Sequence, residues 1–107
     1  MSEYIWVYVT HESLEQAKLL SRELVQEKLV ACANILPAMT AIYGWKGNVE
    51  EAQEVAIIFK TQKNLFSLLR DKILQKHPYE CPCIVALPIE FGNEKYLEWI
   101  KSQTVPD

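Results

Sequence analysis

Residues 76–89 read KHPYECPCIVALPI and place His77, Cys81 and Cys83 within one short stretch. Imidazole and thiolate suit copper and zinc, whereas hard ions such as magnesium want oxygen donors. The spacing works against a site preformed in one chain. His77 and Cys81 are four apart, but Pro78 breaks the helix that would bring them together. Cys81 and Cys83 are two apart, so on a regular strand their side chains share a face roughly 6.5–7 Å apart. Two sulfurs on one tetrahedral ion sit about 3.8 Å apart. A Cys81–Cys83 disulfide would be strained by the same mismatch. The stretch therefore reads first as a helix stop feeding a buried strand, with both cysteines as small packed residues. It reads second as a soft-metal patch for copper or zinc, weakly bound or shared between chains.

A second set comprises Glu54, Lys60 and Tyr79, with Trp45 nearby in the sequence of a hairpin. Glu54 and Lys60 are six apart on one strand, an even spacing that keeps them on one face. A carboxylate, an ammonium, an imidazole and a phenol around one cleft offer partners for a small ligand and groups for acid–base work. The plainer alternative is a structural ion pair with a tyrosine hydroxyl satisfying a buried carbonyl. Trp45 and Tyr43 can stack on a ligand or anchor an interface. Cys32, inside VACANI, reads as a buried core thiol, and His11 as a solvent-facing loop residue ahead of a helix.

The elements that carry these groups follow from periodicity. YIWVYV, residues 4–9, is an unbroken apolar run and predicts a strand buried on both faces. Ser13 and Gln16 have the form of a capping box, followed by Ala17, Leu20 and Leu24 on one helical face. Residues 30–36 resume as a strand that Pro37 interrupts. Residues 40–45 and 49–60 flank Lys46-Gly47-Asn48, a hairpin turn. Asn64 is the expected N-cap of a second helix carrying Leu65, Leu69 and Ile73, and Pro78 ends it. Residues 83–87 form a buried strand, and Asn93 caps a short last helix with Tyr96, Leu97 and Ile100. The order β-α-β-β-α-β plus a C-terminal helix is that of an α+β, ferredoxin-like sandwich, here a single domain over residues 1–107. Such a sheet keeps its long helices on one face. The last helix is too short to cover the other, so the chain is expected to pair with copies of itself.

Composition narrows the classes. The 107 residues carry a formal charge of −3, with no basic cluster for nucleic-acid phosphates. No apolar run approaches the ~18 residues of a membrane span, and residues 1–16 do not read as a signal peptide. Three cysteines, an odd number, suit free thiols in the cytoplasm. The three glycines form no phosphate-cradling loop, and no nucleophile motif accompanies His77. The strand EVAIIFKT lacks the aromatics of an RNA-recognition domain.

Several segments resemble the divalent-cation-tolerance (CutA) family: Leu29-Val30-Ala31-Cys32-Ala33-Asn34-Ile35, Tyr43-Gly44-Trp45-Lys46-Gly47, Glu54, Lys60-Thr61, His77-Pro78-Tyr79-Glu80 with Pro82, and Tyr96-Leu97-Glu98-Trp99. They lie in family order and cover nearly the whole chain. The resemblance implies a homotrimer of ferredoxin-like subunits similar in architecture to the PII signalling proteins. It also implies a role in tolerance of copper and other divalent metals, without known catalysis, and residues at Lys60, His77 and Tyr79 that converge between subunits. The chain departs from the family pattern at Cys81 and Cys83, where a non-thiol and an acidic residue are usual. It departs again at Val9, where some relatives carry a cysteine proposed to bind copper. The alternative function is a PII-like sensor or scaffold that binds a small anionic ligand or a protein partner at inter-subunit clefts.

Overall fold

The structure is a computed structural model that describes residues 3–105. Residues 1–2 and 106–107 of the expected domain lie outside the described residues. Four strands form one antiparallel sheet: β1 (Tyr4–His11), β2 (Cys32–Trp45), β3 (Asn48–Gln62) and β4 (Ile84–Pro88), in the spatial order β2-β3-β1-β4. The helices are α1 (Leu14–Gln26), α2 (Phe66–Lys76) and α3 (Glu94–Gln103), with a 3₁₀ turn over Lys63–Leu65 ahead of α2. This is the expected ferredoxin-like arrangement.

Alternation along the strands sets the two faces of the sheet. On β1, Ile5, Val7, Val9 and His11 are buried. Their partners on β3, including Val55, Ile57, Phe59 and Thr61, are buried with them. Ala17, Leu20 and Leu24 of α1 and Leu69 and Ile73 of α2 close the same core. The opposite face is a different environment. Trp6 is 43% exposed and Leu36, Val85 and Leu87 about half, so β1 is covered on one side only. The apolar run 4–9 had suggested burial on both sides. β4 departs from expectation in the same way: it is an edge strand paired only with β1, and Val85–Pro88 are exposed. α3 covers the open face only at its Cys32 end, where Tyr96 lies beside Cys32.

Local signals explain the element ends. Ser13 caps α1, its Oγ accepting the Gln16 amide at 3.1 Å. The reciprocal half of the capping box is replaced: the Ser13 amide donates to His11 Nδ1 at 3.2 Å. α1 closes with Lys28 at φ 63°, the Leu29 amide reaching Leu24 O and the Lys28 amide reaching Val25 O, a Schellman stop built on a lysine. Asn64 falls inside the 3₁₀ turn, and the cap position of α2 is Leu65, with no side-chain bond. Asn93 caps α3 as expected, Oδ1 accepting the Lys95 amide at 3.2 Å.

Pro37 does not end its strand. β2 continues through it because an edge strand leaves the missing N–H unneeded on its open side. Leu36 pairs with Ala56 and Met39 with Glu54, so Pro37 and Ala38 together oppose Val55 in a bulge, with Ala38 at φ 61°. Before the bulge Cys32, Asn34 and Leu36 face the open side. After it Met39, Ala41, Tyr43 and Trp45 do. Lys46 and Gly47, both at positive φ, then turn the chain tightly into β3.

Thr61 tests the seam between sheet and α1. Its side chain is fully buried and its Oγ1 donates to Leu29 O at 2.7 Å, just past the end of α1. Thr61→Val keeps the shape and leaves that carbonyl unpaired, so urea unfolding should show a loss of about 1–2 kcal/mol.

Candidate functional site

Past the bulge, the open face of the sheet meets the loop between α2 and β4 in a concavity of about 510 Å³. β2 supplies Tyr43 and Trp45, β3 supplies Glu54, and the loop supplies Tyr79, Cys81 and Cys83. The loop begins where Pro78 forces His77 into an extended conformation, φ −87° and ψ 135°, and α2 stops. His77 then ties the loop to the sheet. Its Nε2 lies 2.7 Å from Thr10 O, an acceptor only, so this nitrogen carries the proton and donates. Its Nδ1 accepts the Tyr79 amide at 3.2 Å. Tyr79 in turn donates its hydroxyl to Glu54 Oε2 at 2.7 Å. Burial, followed by the hydrogen bond to Glu54 and that carboxylate's charge, pushes the Tyr79 phenol well above its ordinary range.

Behind this chain of bonds lies His11, which is 2% exposed and not the surface loop residue expected. Its ring centre lies 4.5 Å from that of His77, the planes tilted by 39°, and His77 packs edge-on against Tyr79 at 4.6 Å. Burial first, and the neighbouring His77 second, lower the His11 pKa, against a smaller opposing pull from Glu12. One signal in the sequence pointed here: His11 continues the inward alternation of Ile5, Val7 and Val9.

The expected site residues therefore divide. Trp45, Glu54 and Tyr79 are brought together, with Cys81 and Cys83 on the same concavity. Lys60 is not with them. It shares the face with Glu54 but lies six residues along β3, about 20 Å away by strand rise. There its Nζ donates to Asn34 Oδ1, lies 3.7 Å from Cys32 Sγ and sits 5.7 Å from the Trp6 ring centre. Cys32 is consequently a half-buried thiol on the open face, not a core residue. His77 has both ring nitrogens engaged, so it can serve a metal only by giving up one of its bonds. Among the described residues no three His, Cys, Asp or Glu side chains are gathered to hold a metal ion. All three cysteines are free. Burial, then Glu54 and Cys81, push the Cys83 thiol up, so a metal binding there must displace its proton.

Comparison with known proteins agrees with this architecture. The family described as CutA1 divalent ion tolerance protein matches residues 5–103. The chain belongs to that family. A "Divalent-cation tolerance protein CutA" of Thermus thermophilus is 44% identical over 98 residues, 92% of this chain and 95% of that protein. The human "Protein CutA" is 42% identical over 97 residues, 91% of this chain and 54% of its own length. The chain thus spans nearly all of the bacterial relative but about half of the human one, and likewise about half of the chloroplastic protein of Arabidopsis thaliana. Among solved structures, CutA1 from Oryza sativa superposes with a TM-score of 0.95 at 40% identity, covering 99% of this chain and 97% of that one. The Thermus thermophilus Cut A1 protein gives 0.92 at 42% identity, covering 95% and 99%.

The buried His11 carries a pH signature. Its ordinary value is 6.5 and the fold lowers it, so the unfolded chain takes up the proton more readily. Stability from the neutral ring is fully present above that value and is lost as pH falls below it. Thermal unfolding should show the midpoint dropping between about pH 7 and pH 5, and His11→Asn should flatten the drop.

Proposed function

We propose that the chain acts in divalent-cation tolerance as a homotrimer whose open sheet faces close on one another, taking copper or zinc weakly and without a catalytic step. The observation that carries this reading is the uncovered face itself. Trp6, Leu36, Val85 and Leu87 line one side of the sheet, and both edge strands, β2 and β4, have one unpaired side. Apolar area of this kind, flanked by open ladders, favours association with further copies. Membership of a family named for divalent ion tolerance supports the metal role.

The ligands proposed are Cys81 and Cys83, with His77 recruited if its bond to Thr10 or Tyr79 opens. Donors from an adjoining copy would complete the set. Soft Cu(I) fits the thiols best, and Cu(II) or Zn(II) would need the added imidazole. The cytoplasm is the proposed compartment, on the strength of three free thiols. Names of relatives include chloroplastic proteins of Arabidopsis and rice. No described helix is long and apolar enough to cross a membrane.

A second reading, of a PII-like sensor with a small ligand or protein partner in inter-subunit clefts, is supported by the concavity that joins Trp45, Glu54 and Tyr79. Lys60 is too distant to supply a cation there within one chain, so an anionic ligand would require Lys60 of another copy.

Anaerobic titration with Cu(I) and Zn(II), followed by calorimetry and light scattering, tests the leading reading. The expected result is a trimer that binds Cu(I), more tightly at higher pH because the Cys83 proton must leave, with binding lost in Cys81→Ser and Cys83→Ser. A monomer at micromolar concentration would remove the assembly, and unchanged binding in both variants would remove the thiol ligands.

A further inference from the structure

The concavity at the Trp45 end of the open face has a charge and a wall chemistry that neither metal tolerance nor an anionic ligand uses. Its volume, about 510 Å³, falls in the range of small-molecule sites. Three rings, Tyr43, Trp45 and Tyr79, stand around it. Its floor is cut back to methyl groups where Ala41 and Ala52 pair across β2 and β3. Glu12, Glu54 and Glu80 all line it, and none of the lining residues is a lysine or arginine. Aromatic faces and carboxylates share one preference, which is for a cation.

The cation is better organic than inorganic. A bare metal ion needs its oxygen donors gathered within one coordination sphere, and these three carboxylates are not so gathered. An alkylammonium chain spreads its charges over several ångströms and presents methylenes to the rings between them. Glu54 is also braced for such a role. The Tyr79 hydroxyl occupies Oε2 and fixes the carboxylate's orientation, while that hydroxyl stays protonated because burial and Glu54 push it up. The chain itself shows the preference, since the ammonium of Lys46 at the hairpin tip lies 5.6 Å from the Trp45 ring centre.

We propose that this concavity is a binding site for a small organic dication of the aliphatic diamine or polyamine class, held between the Tyr43, Trp45 and Tyr79 rings and the Glu12, Glu54 and Glu80 carboxylates. The inference does not depend on metal binding, and the test keeps the two apart.

Calorimetry on the full chain, with EDTA present and pH near neutral, compares three probes of matched length: 1,4-diaminobutane, its neutral counterpart butane-1,4-diol, and the dianion succinate. The diamine should bind about ten-fold more tightly than the other two. Trp45→Leu and Glu54→Gln should each weaken it about five-fold, while Lys18→Met, on the helix that covers the opposite face, leaves it unchanged. Glu80→Gln, on the exposed loop, gives the same reading as Glu54→Gln if that variant unfolds. Absence of diamine binding up to about 20 mM, equal binding of the diol, or tighter binding of succinate would each overturn the proposal.

Discussion

A strand can turn only every second side chain toward a given face, and this sheet has helices enough for one face. The chain is organised around that constraint. Ile5, Val7, Val9, Ile57 and Phe59 go to the helical side and make the core. Apart from His11 and Thr61, the strand residues with chemical character go to the other: Glu54, Lys60, Cys32, Trp6 and, beyond the bulge, Tyr43 and Trp45. The open face is where apolar surface and functional groups coexist, so association and ligand binding have to use the same side of the molecule.

A second dependency is narrower. The loop from His77 to Cys83 has no regular structure, and its position is set by a short relay: Thr10 O to His77, His77 to the Tyr79 amide, Tyr79 hydroxyl to Glu54. The middle bond is local to the loop and the outer two reach Thr10 and Glu54, so β1, the loop and β3 are held in one relation. The imidazole is fully employed in this positioning. That explains why a histidine beside two cysteines need not be a metal ligand: its nitrogens answer to the backbone first.

Much of the fold was legible because strand periodicity, the Ser13 and Asn93 caps, the Lys46-Gly47 turn and the Pro78 stop are local signals. What was not legible depended on neighbours. The run YIWVYV looks the same whether one or both faces are covered, because tyrosine and tryptophan tolerate half-burial. Pro37 looks like a strand breaker until β2 is known to be an edge. Asn64 has the chemistry of a cap, but the 3₁₀ turn delays α2 past it. At the site, Trp45, Glu54 and Tyr79 were found from residue type and family resemblance. The separation of Lys60 from them was implicit in six residues of strand rise. His11 was missed because its place beside a capping serine suggested a loop, while its parity with Val7 and Val9 pointed inward.

The bulge at Pro37 and Ala38 also sets a rule for change in this molecule. It absorbs one extra residue of β2, so that the odd-numbered Tyr43 and Trp45 share the face of the even-numbered Cys32, Asn34 and Leu36. Deleting either residue would leave one residue opposite Val55, restore a regular ladder, and keep Tyr43 and Trp45 on the face of Glu54. The hairpin can accordingly shorten or lengthen by matched pairs at its tip and keep its facing, and at the bulge a single residue can be lost with the ladder on either side still in register. Length variation in this arm is therefore constrained to matched pairs everywhere but at the bulge.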